Sequence, residues 1–321
     1  MRRVRYHAYG GPEVLRVEEA EVPEPGPGQV RVRATAIGAN FVDTKFRRGA
    51  GSIFQRPLPG TLTGDVVGTV DAVGADADAE LKGRRVATLS VDAFADHVVA
   101  DVAGLIDVPD DLDDAAASLL PSAAATALGA VLVSRLAQGG TVLVHAAAGN
   151  LGHLATQLAK LRGAGTVIGT AGSTAKLDFV RAHGADVAVD YTDESWPDRV
   201  RAAAPEGVDV ILDSVGGQTT LRGLELLAPF GRLVIYGAAD GLVDVPFTSL
   251  YALRSVTGFS LLAWQAARPA GYRKAIAELT DDLATGRLRF TVHTRLPLTE
   301  AVEAHRLLDA RAQLGRILLV P

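Results

Sequence analysis

The chain has 321 residues, of which 48% are hydrophobic and 21% charged, and its formal net charge is −5. That length admits two domains with separate cores, and an acidic balance without a basic stripe excludes an ordinary nucleic-acid surface. It contains no cysteine, so disulfides, iron–sulfur clusters, cysteine nucleophiles and thiolate zinc sites are excluded. The amino terminus, Met1 to His7, has neither the apolar stretch nor the small-residue cleavage site of a signal peptide, and the expected location is cytoplasmic. Residues 115–133 are uncharged and long enough to span a membrane. They are mostly alanine, carry Ser118, Ser122 and Thr126, and are interrupted by Pro121, so a buried helix is expected instead.

The first hundred residues read as strands and turns. Residues 14–17 and 29–34 alternate apolar and polar side chains, the period of a half-buried strand. Between them Pro23, Pro25, Gly26, Pro27 and Gly28 form a connection that no helix could include. Residues 64–70 and 85–89 are further strands, and together these predict a small, partly open β-barrel. From Asp113 the pattern changes. Asp113 and Asp114 precede an alanine-rich helix, where acidic groups suit the positive end of the helix dipole. Strands at 141–144, 166–169, 186–189, 208–212 and 232–235 then follow, with helices at 151–162 and 176–183. Such short valine- and isoleucine-rich runs predict a buried, doubly wound parallel sheet. Beyond residue 257 the alternation stops: helices at 272–285 and 299–310 enclose a strand at 290–293, and residues 316–320 close the chain as a strand. The reading is an α/β protein in which a doubly wound domain, 119–256, is inserted into a β-barrel domain made of 1–118 and 257–321.

The sharpest motif runs from Val142 to Gly152. A strand enters a turn containing Ala147, Gly149 and Gly152 and leaves it as a helix, which aims backbone amides and a helix N-terminus at a pyrophosphate. The pattern is AxGxxG. The next strand ends Gly169-Thr170-Ala171-Gly172-Ser173, where an enzyme binding NAD would place a carboxylate for the ribose hydroxyls. None stands there. Ser173 and Lys176 follow, with Tyr191 after the third strand, a set that suits a ribose phosphate and therefore NADPH.

These residues, with others, carry a family resemblance over nearly the whole chain. Gly10-Gly11-Pro12-Glu13-Val14-Leu15, Ile37-Gly38-Ala39-Asn40-Phe41-Val42-Asp43 and Ala93-Phe94-Ala95-Asp96-His97 are similar to segments of the zinc-independent, zeta-crystallin-like quinone oxidoreductases of the medium-chain dehydrogenase/reductase superfamily. His145 to Gly152 resembles the HAAAGGVG loop of that family, and Asp213-Ser214-Val215-Gly216-Gly217 its D-x-VGG element. The resemblance implies a GroES-like β-barrel catalytic domain, a Rossmann domain, and hydride transfer from NADPH to an electron-poor acceptor in the cleft between them. It places Asn40 beside the nicotinamide and Thr126 near the carboxamide and ribose. It lays Gly149, Asn150, Leu151 and Gly152 on the pyrophosphate, and sets Ser173, Lys176 and Tyr191 around the ribose phosphate. Ser214, Tyr236 and Gly237 line the adenosine and nicotinamide side. It also implies a homodimer, and residues 255–260 read as an unprotected edge strand that invites such pairing.

Two departures from the family pattern stand out. Gly83-Arg84-Arg85-Val86 replaces Gly-Asp-Arg-Val, a change expected to be structural. Lys45 replaces a tyrosine and has two readings: it polarises the acceptor carbonyl or supplies a proton, or it is a surface lysine beside the cleft. Zinc-dependent members of the superfamily have a cysteine where Asn40 stands and a His-Glu pair where Gly64-Asp65 stands, so no metal is expected. The favoured chemistry is conjugate reduction of a quinone, enone or enoyl compound, with Asn40 and Lys45 stabilising the charge that collects on the carbonyl oxygen. The acceptor is a small hydrophobic molecule, with Phe46, Phe54, Phe259, Leu262 and Trp264 as candidate walls. A pathway-specific reductase or cyclase of secondary metabolism and a non-catalytic NADPH-binding protein are the competing readings.

Overall fold

The computed structural model describes residues 1–321 and divides into two compact units, Met1–Ser122 with Thr291–Pro321, and Ala123–Phe290. In the first, the strands are β1 (Arg2–Tyr6), β2 (Leu15–Glu19), β3 (Gln29–Ala39), β4 (Gly64–Val73), β5 (Arg85–Ser90), β6 (His97–Asp101) and β7 (Ile106–Asp107), with helices α1 (Val42–Arg48) and α2 (Asp114–Ala117). The second holds β8 (Thr141–Val144), β9 (Thr166–Ala171), β10 (Val187–Asp190), β11 (Val208–Asp213), β12 (Leu227–Ile235) and β13 (Ser255–Gly258). Its helices are α3 (Ala125–Ser134), α4 (Gly152–Leu161), α5 (Leu177–Ala182), α6 (Trp196–Ala203), α7 (Gly217–Leu224), α8 (Leu261–Ala267) and α9 (Pro269–Ala284). The chain then returns to the first unit with β14 (Val292–Pro297), α10 (Ala301–Asp309) and β15 (Arg316–Val320).

In the first unit the sheet order is β14-β15-β3-β4-β5-β7, with β6 also paired to β3. The alternation along β3 buries Val30, Val32 and Ala34, then gives way to four successive buried residues from Ala36 to Ala39. The last strand of the chain explains that change. β15 pairs with this end of β3, Leu318 opposite Gly38 and Ile317 opposite Ala39, while β4 sets Asp65 opposite Gly38 on the other side. Three sequence-distant segments thus converge at the end of β3, just before Asn40. Arg85 donates to the carbonyl of Pro109 at 2.6 Å and pairs with Asp114, and Arg84 reaches Asp107 at 2.9 Å. The altered Gly-Arg-Arg-Val turn is structural.

The second unit has a six-stranded, fully parallel sheet in the order β10-β9-β8-β11-β12-β13, the doubly wound arrangement that the strand–helix alternation predicts. The boundary at residue 257 needs correction, because 257–290 belong to this unit. Three packing relationships hold them there. Phe259 lies against Gly129 of α3, where any side chain would strike its ring. The α9 side chains Ala275, Ile276, Leu279 and Leu283 are buried, with α9 packed on α3. Gln157 of α4 both donates to the Arg289 carbonyl at 2.7 Å and accepts from its amide at 2.9 Å. The strand expected at 290–293 instead begins at Val292 and runs to Pro297.

The apolar stretch long enough to cross a membrane, Asp114–Ser134, is mostly buried within the protein. Pro121 does not end its helical path; a π-helical turn at Leu120–Ala124 absorbs it before α3 begins. Proline supplies no amide for the regular ladder, and a wider turn accommodates the gap.

Candidate active site

Every cofactor residue expected from the sequence except Thr126 lies just beyond the C-terminal end of one of the strands β8 to β12. In a doubly wound sheet that is the edge where ligands bind, at the point where strand order reverses; here β8 is flanked by β9 and β11. Thr126 sits on α3, partly exposed among the buried Ala125, Ala127 and Leu128.

The turn from β8 to α4 is built for close approach. Ala147 donates its amide to the Thr170 carbonyl at 2.7 Å, and Gly149 to the Ala146 carbonyl at 2.9 Å. Any side chain at Gly152 would collide with the Ala146 carbonyl, so this glycine lets the helix pack onto its own loop. Asn150 stands in a position that is glycine in the HAAAGGVG pattern. Both polar atoms of its carboxamide are buried and without a protein partner, a costly condition that phosphate oxygens and their bound water would relieve. His145, at the head of the turn, is a core residue: its Nδ1 lies 2.9 Å from Thr170 Oγ1 and its ring meets Trp196 edge-on. Burial lowers its pKa.

Around β9 and β10 the structure brings Ser173, Lys176 and Tyr191 together. Lys176 closes the turn by donating its amide to the Ser173 carbonyl at 3.1 Å. Tyr191 donates its amide to the Ala171 carbonyl at 3.0 Å, and its hydroxyl lies 3.1 Å from where a Cβ at Gly172 would stand. Sequence reasoning missed Asp190, the carboxylate ending β10. It accepts from Thr174 Oγ1 at 2.9 Å and from the Thr192 amide and hydroxyl at 2.9 and 2.6 Å. Burial acts to raise its pKa, but the Thr192 and Thr174 hydrogen bonds prevail and lower it. The Asp-x-Thr spacing of an Asx turn was the available signal.

Beyond β11 and β12, Gly237 packs on Ser214, a Cβ there falling 2.8 Å from the Ser214 carbonyl oxygen. Burial raises the pKa of the Tyr236 phenol, and the Asp213 charge adds to it. Asp213 accepts from the amides of Val215 at 2.7 Å and Gly216 at 3.2 Å and from the Thr220 hydroxyl. The aspartate of the D-x-VGG element therefore fixes the turn into α7.

In the first unit, Asn40 follows β3 directly. Its Nδ2 donates to Asp65 Oδ2 at 3.2 Å, and its Oδ1 accepts from Arg316 Nη1 at 3.1 Å. Arg316 Nη2 pairs with the same Asp65 oxygen at 2.6 Å, neither side chain being exposed, and Ser122 Oγ donates to it at 2.7 Å. Neither Asp65 nor Arg316 was expected to matter; they lie 251 residues apart, beyond any local pattern. Lys45 stands on α1, a helix the sequence did not announce, with its ammonium 5.8 Å from the Phe41 ring centre. The Arg311 guanidinium lies 5.6 Å from the same ring. Asp43 is fully buried, accepting from the Thr63 amide at 2.7 Å and hydroxyl at 2.8 Å. Burial pushes its pKa up to about 7. Of the expected apolar walls, the Phe46 ring meets Phe54 edge-on in the first unit and the Phe259 ring meets Trp264 at a tilt in the second.

The donor set here does not suit zinc. The carboxylate at 65 is neutralised by Arg316, the chain has no thiolate, and no group of three His, Asp or Glu has the geometry to hold an ion.

Comparison with known proteins shows the family to which the fold belongs. The Alcohol dehydrogenase GroES-like domain family matches residues 26–110, and the Zinc-binding dehydrogenase family matches 150–281, extending past the misplaced boundary at 257. A quinone oxidoreductase of Pseudomonas aeruginosa is 36% identical over 100% of this chain and 99% of its own. A 2-haloacrylate reductase of a Burkholderia species is 34% identical over 98% and 97%. The crystal structure of Escherichia coli quinone oxidoreductase complexed with NADPH superposes with a TM-score of 0.92 at 29% identity, covering 100% of both chains.

Proposed function

Because the chain belongs to the quinone oxidoreductase family of medium-chain dehydrogenases/reductases, we propose that it reduces an electron-poor quinone, enone or enoyl acceptor with NADPH and without a metal. When bound, NADPH supplies the hydride. The observation that carries the cofactor choice is the grouping of Ser173, Lys176 and Tyr191, with the carboxylate next to Tyr191 in sequence, Asp190, committed to Thr174 and Thr192. A ribose phosphate would meet hydroxyls and an ammonium there. The Gly149–Gly152 turn and the carboxamide of Asn150 would hold the pyrophosphate, with Thr126, Ser214, Tyr236 and Gly237 completing the cofactor's surroundings.

On the acceptor side, Asn40 is the hydrogen-bond donor for the carbonyl oxygen as it gains charge. One preorganised donor of this kind contributes roughly a hundredfold or more to the rate. The protein's own tasks are to orient the acceptor, keep water away and hold that oxygen. The test is a titration with NADPH and NADH followed by addition of quinones and enones. Selective NADPH binding and acceptor-dependent loss of reduced-nicotinamide absorbance are expected, whereas binding without turnover on any acceptor would leave a non-catalytic NADPH-binding protein.

Lys45 and Arg311 support a second, narrower reading, in which the acceptor carries a carboxylate. Both cations stand within 6 Å of the Phe41 ring centre, next to Asn40 in sequence. A relative of this chain is named for reducing 2-haloacrylate. Lys45→Met should then raise KM for unsaturated acids at least tenfold and leave neutral enones unchanged.

The chain is further proposed to dimerise through β13. That strand ends the sheet, and an unprotected edge invites pairing with a second copy. Phe230 on β12 and Tyr251 and Leu253 on the turn before β13 are all largely exposed, Phe230 donating its amide to the Leu253 carbonyl at 2.7 Å.

A further inference from the structure

Stability alone does not require an ion pair at a buried position such as that of Asp65 and Arg316. Replacing such a pair by well-packed hydrophobic residues is often neutral or stabilising. Its geometry gives it another use. A carboxylate only accepts hydrogen bonds and a guanidinium only donates them. The Asn40 atom facing Asp65 Oδ2 must therefore be the amide nitrogen, and the atom facing Arg316 Nη1 must be the carbonyl oxygen. The flipped carboxamide would set oxygen against carboxylate and N–H against guanidinium. The pair thus fixes an orientation that an isolated asparagine would leave free.

We propose that Asp65 and Arg316 are positioning residues that determine the polarity Asn40 presents to the acceptor. This rests on the reading of Asn40 as the group that meets the acceptor oxygen. The Asn40 nitrogen carries two hydrogens. One is spent on Asp65, and the second is the donor offered to a developing enolate or quinol oxygen. The Asn40 oxygen, which would repel that charge, is turned toward Arg316. Ser122 Oγ, donating to Asp65 Oδ2 at 2.7 Å, and the Ser118 carbonyl, accepting from Arg316 Nη2 at 2.8 Å, brace the two charged groups. Because the pair is neutral as a whole, it orients the amide without placing net charge beside the acceptor.

The experiment compares Asn40→Ala, Asp65→Asn, Arg316→Lys and the doubles Asn40→Ala/Asp65→Asn and Asn40→Ala/Arg316→Lys in the full-length protein. Each is measured for kcat and KM on one quinone and one enone. Each is also titrated, in the presence of NADP⁺, with a substituted phenolate that mimics the developing oxyanion, and unfolded thermally. Arg316→Lys keeps a charge for Asp65 while losing the second arm to Asn40, and it stands in if Asp65→Asn does not fold. Asn40→Ala is expected to lower kcat roughly a hundredfold or more and to weaken phenolate binding, with KM for NADPH unchanged. Arg316→Lys and Asp65→Asn should lose most of the same factor, and each double should be within about twofold of Asn40→Ala alone, the non-additivity of groups that act as one. Doubles whose losses multiply would overturn the positioning role while leaving the acceptor role of Asn40 intact. Unchanged kcat and phenolate binding in Asn40→Ala would remove both.

Discussion

Arg316 occupies the space above Gly38: any Cβ at Gly38 would fall on the Arg316 guanidinium. Gly38→Ala should therefore expel a fully buried side chain from its ion pair with Asp65. Breaking a buried pair costs about 3–5 kcal/mol, because Asp65 would remain buried without its partner. Chemical unfolding should show a loss of that size; a variant as stable as the parent would mean that Arg316 has room to move.

Lys176→Ala should weaken NADPH binding roughly ten- to hundredfold and leave NADH nearly unchanged. Losing one charge-assisted contact costs about 1.5–3 kcal/mol, which converts to that range. Fluorescence titration with both cofactors checks it, and equal weakening of the two would show that Lys176 acts through the fold.

Asp43 makes stability depend on pH in a stated direction. Its pKa is about 7 in the folded chain against an ordinary value of 3.8, so the folded state holds a proton that the unfolded state has released between those values. The contribution is fully present below about pH 4 and is lost as pH rises through about 7. Asp43→Asn removes the titration and keeps an acceptor for Thr63. The stability of the variant relative to the parent should rise from pH 4 to pH 8. A flat difference would show that the carboxyl titrates in the ordinary range.

If β13 is the seam of a dimer, the outward amides on its free edge are the ones that matter. Phe259 donates its amide to Ile235 on β12, and amides alternate along a strand. Thr257 therefore faces inward, while Val256 and Gly258 face out. Light scattering should give twice the 33.4 kDa chain mass. Val256→Pro should give the monomer without unfolding it, whereas Thr257→Pro should disturb the sheet itself. A parent that scatters as a monomer contradicts the seam.

Local chemistry explains what could be read from sequence. The β8–α4 turn, the valine-rich strands and β15 are legible because their signals lie within a dozen residues. What escaped was long-range or short. Asp65 and Arg316 meet only because β4 and β15 flank the same end of β3, a register no local pattern encodes. α1, seven residues long, is too short to set up an apolar period. The boundary at 257 failed because the pattern of alternating strands does stop there, yet Phe259 and α9 still bury their apolar faces on α3. Pro121 suggested a break that a π-helical turn accommodates.

The central claim is hydride delivery from NADPH to the conjugate carbon of an acceptor. It is tested most directly with NADPH carrying deuterium at the transferable position of the nicotinamide, turned over with a cyclic enone in ordinary water. The product, analysed by mass spectrometry and NMR, should carry one deuterium on the carbon far from the carbonyl and a solvent proton on the carbon beside it. Cofactor binding without labelled product from any enone or enoyl compound, or a product whose new hydrogens both come from solvent, would contradict the account.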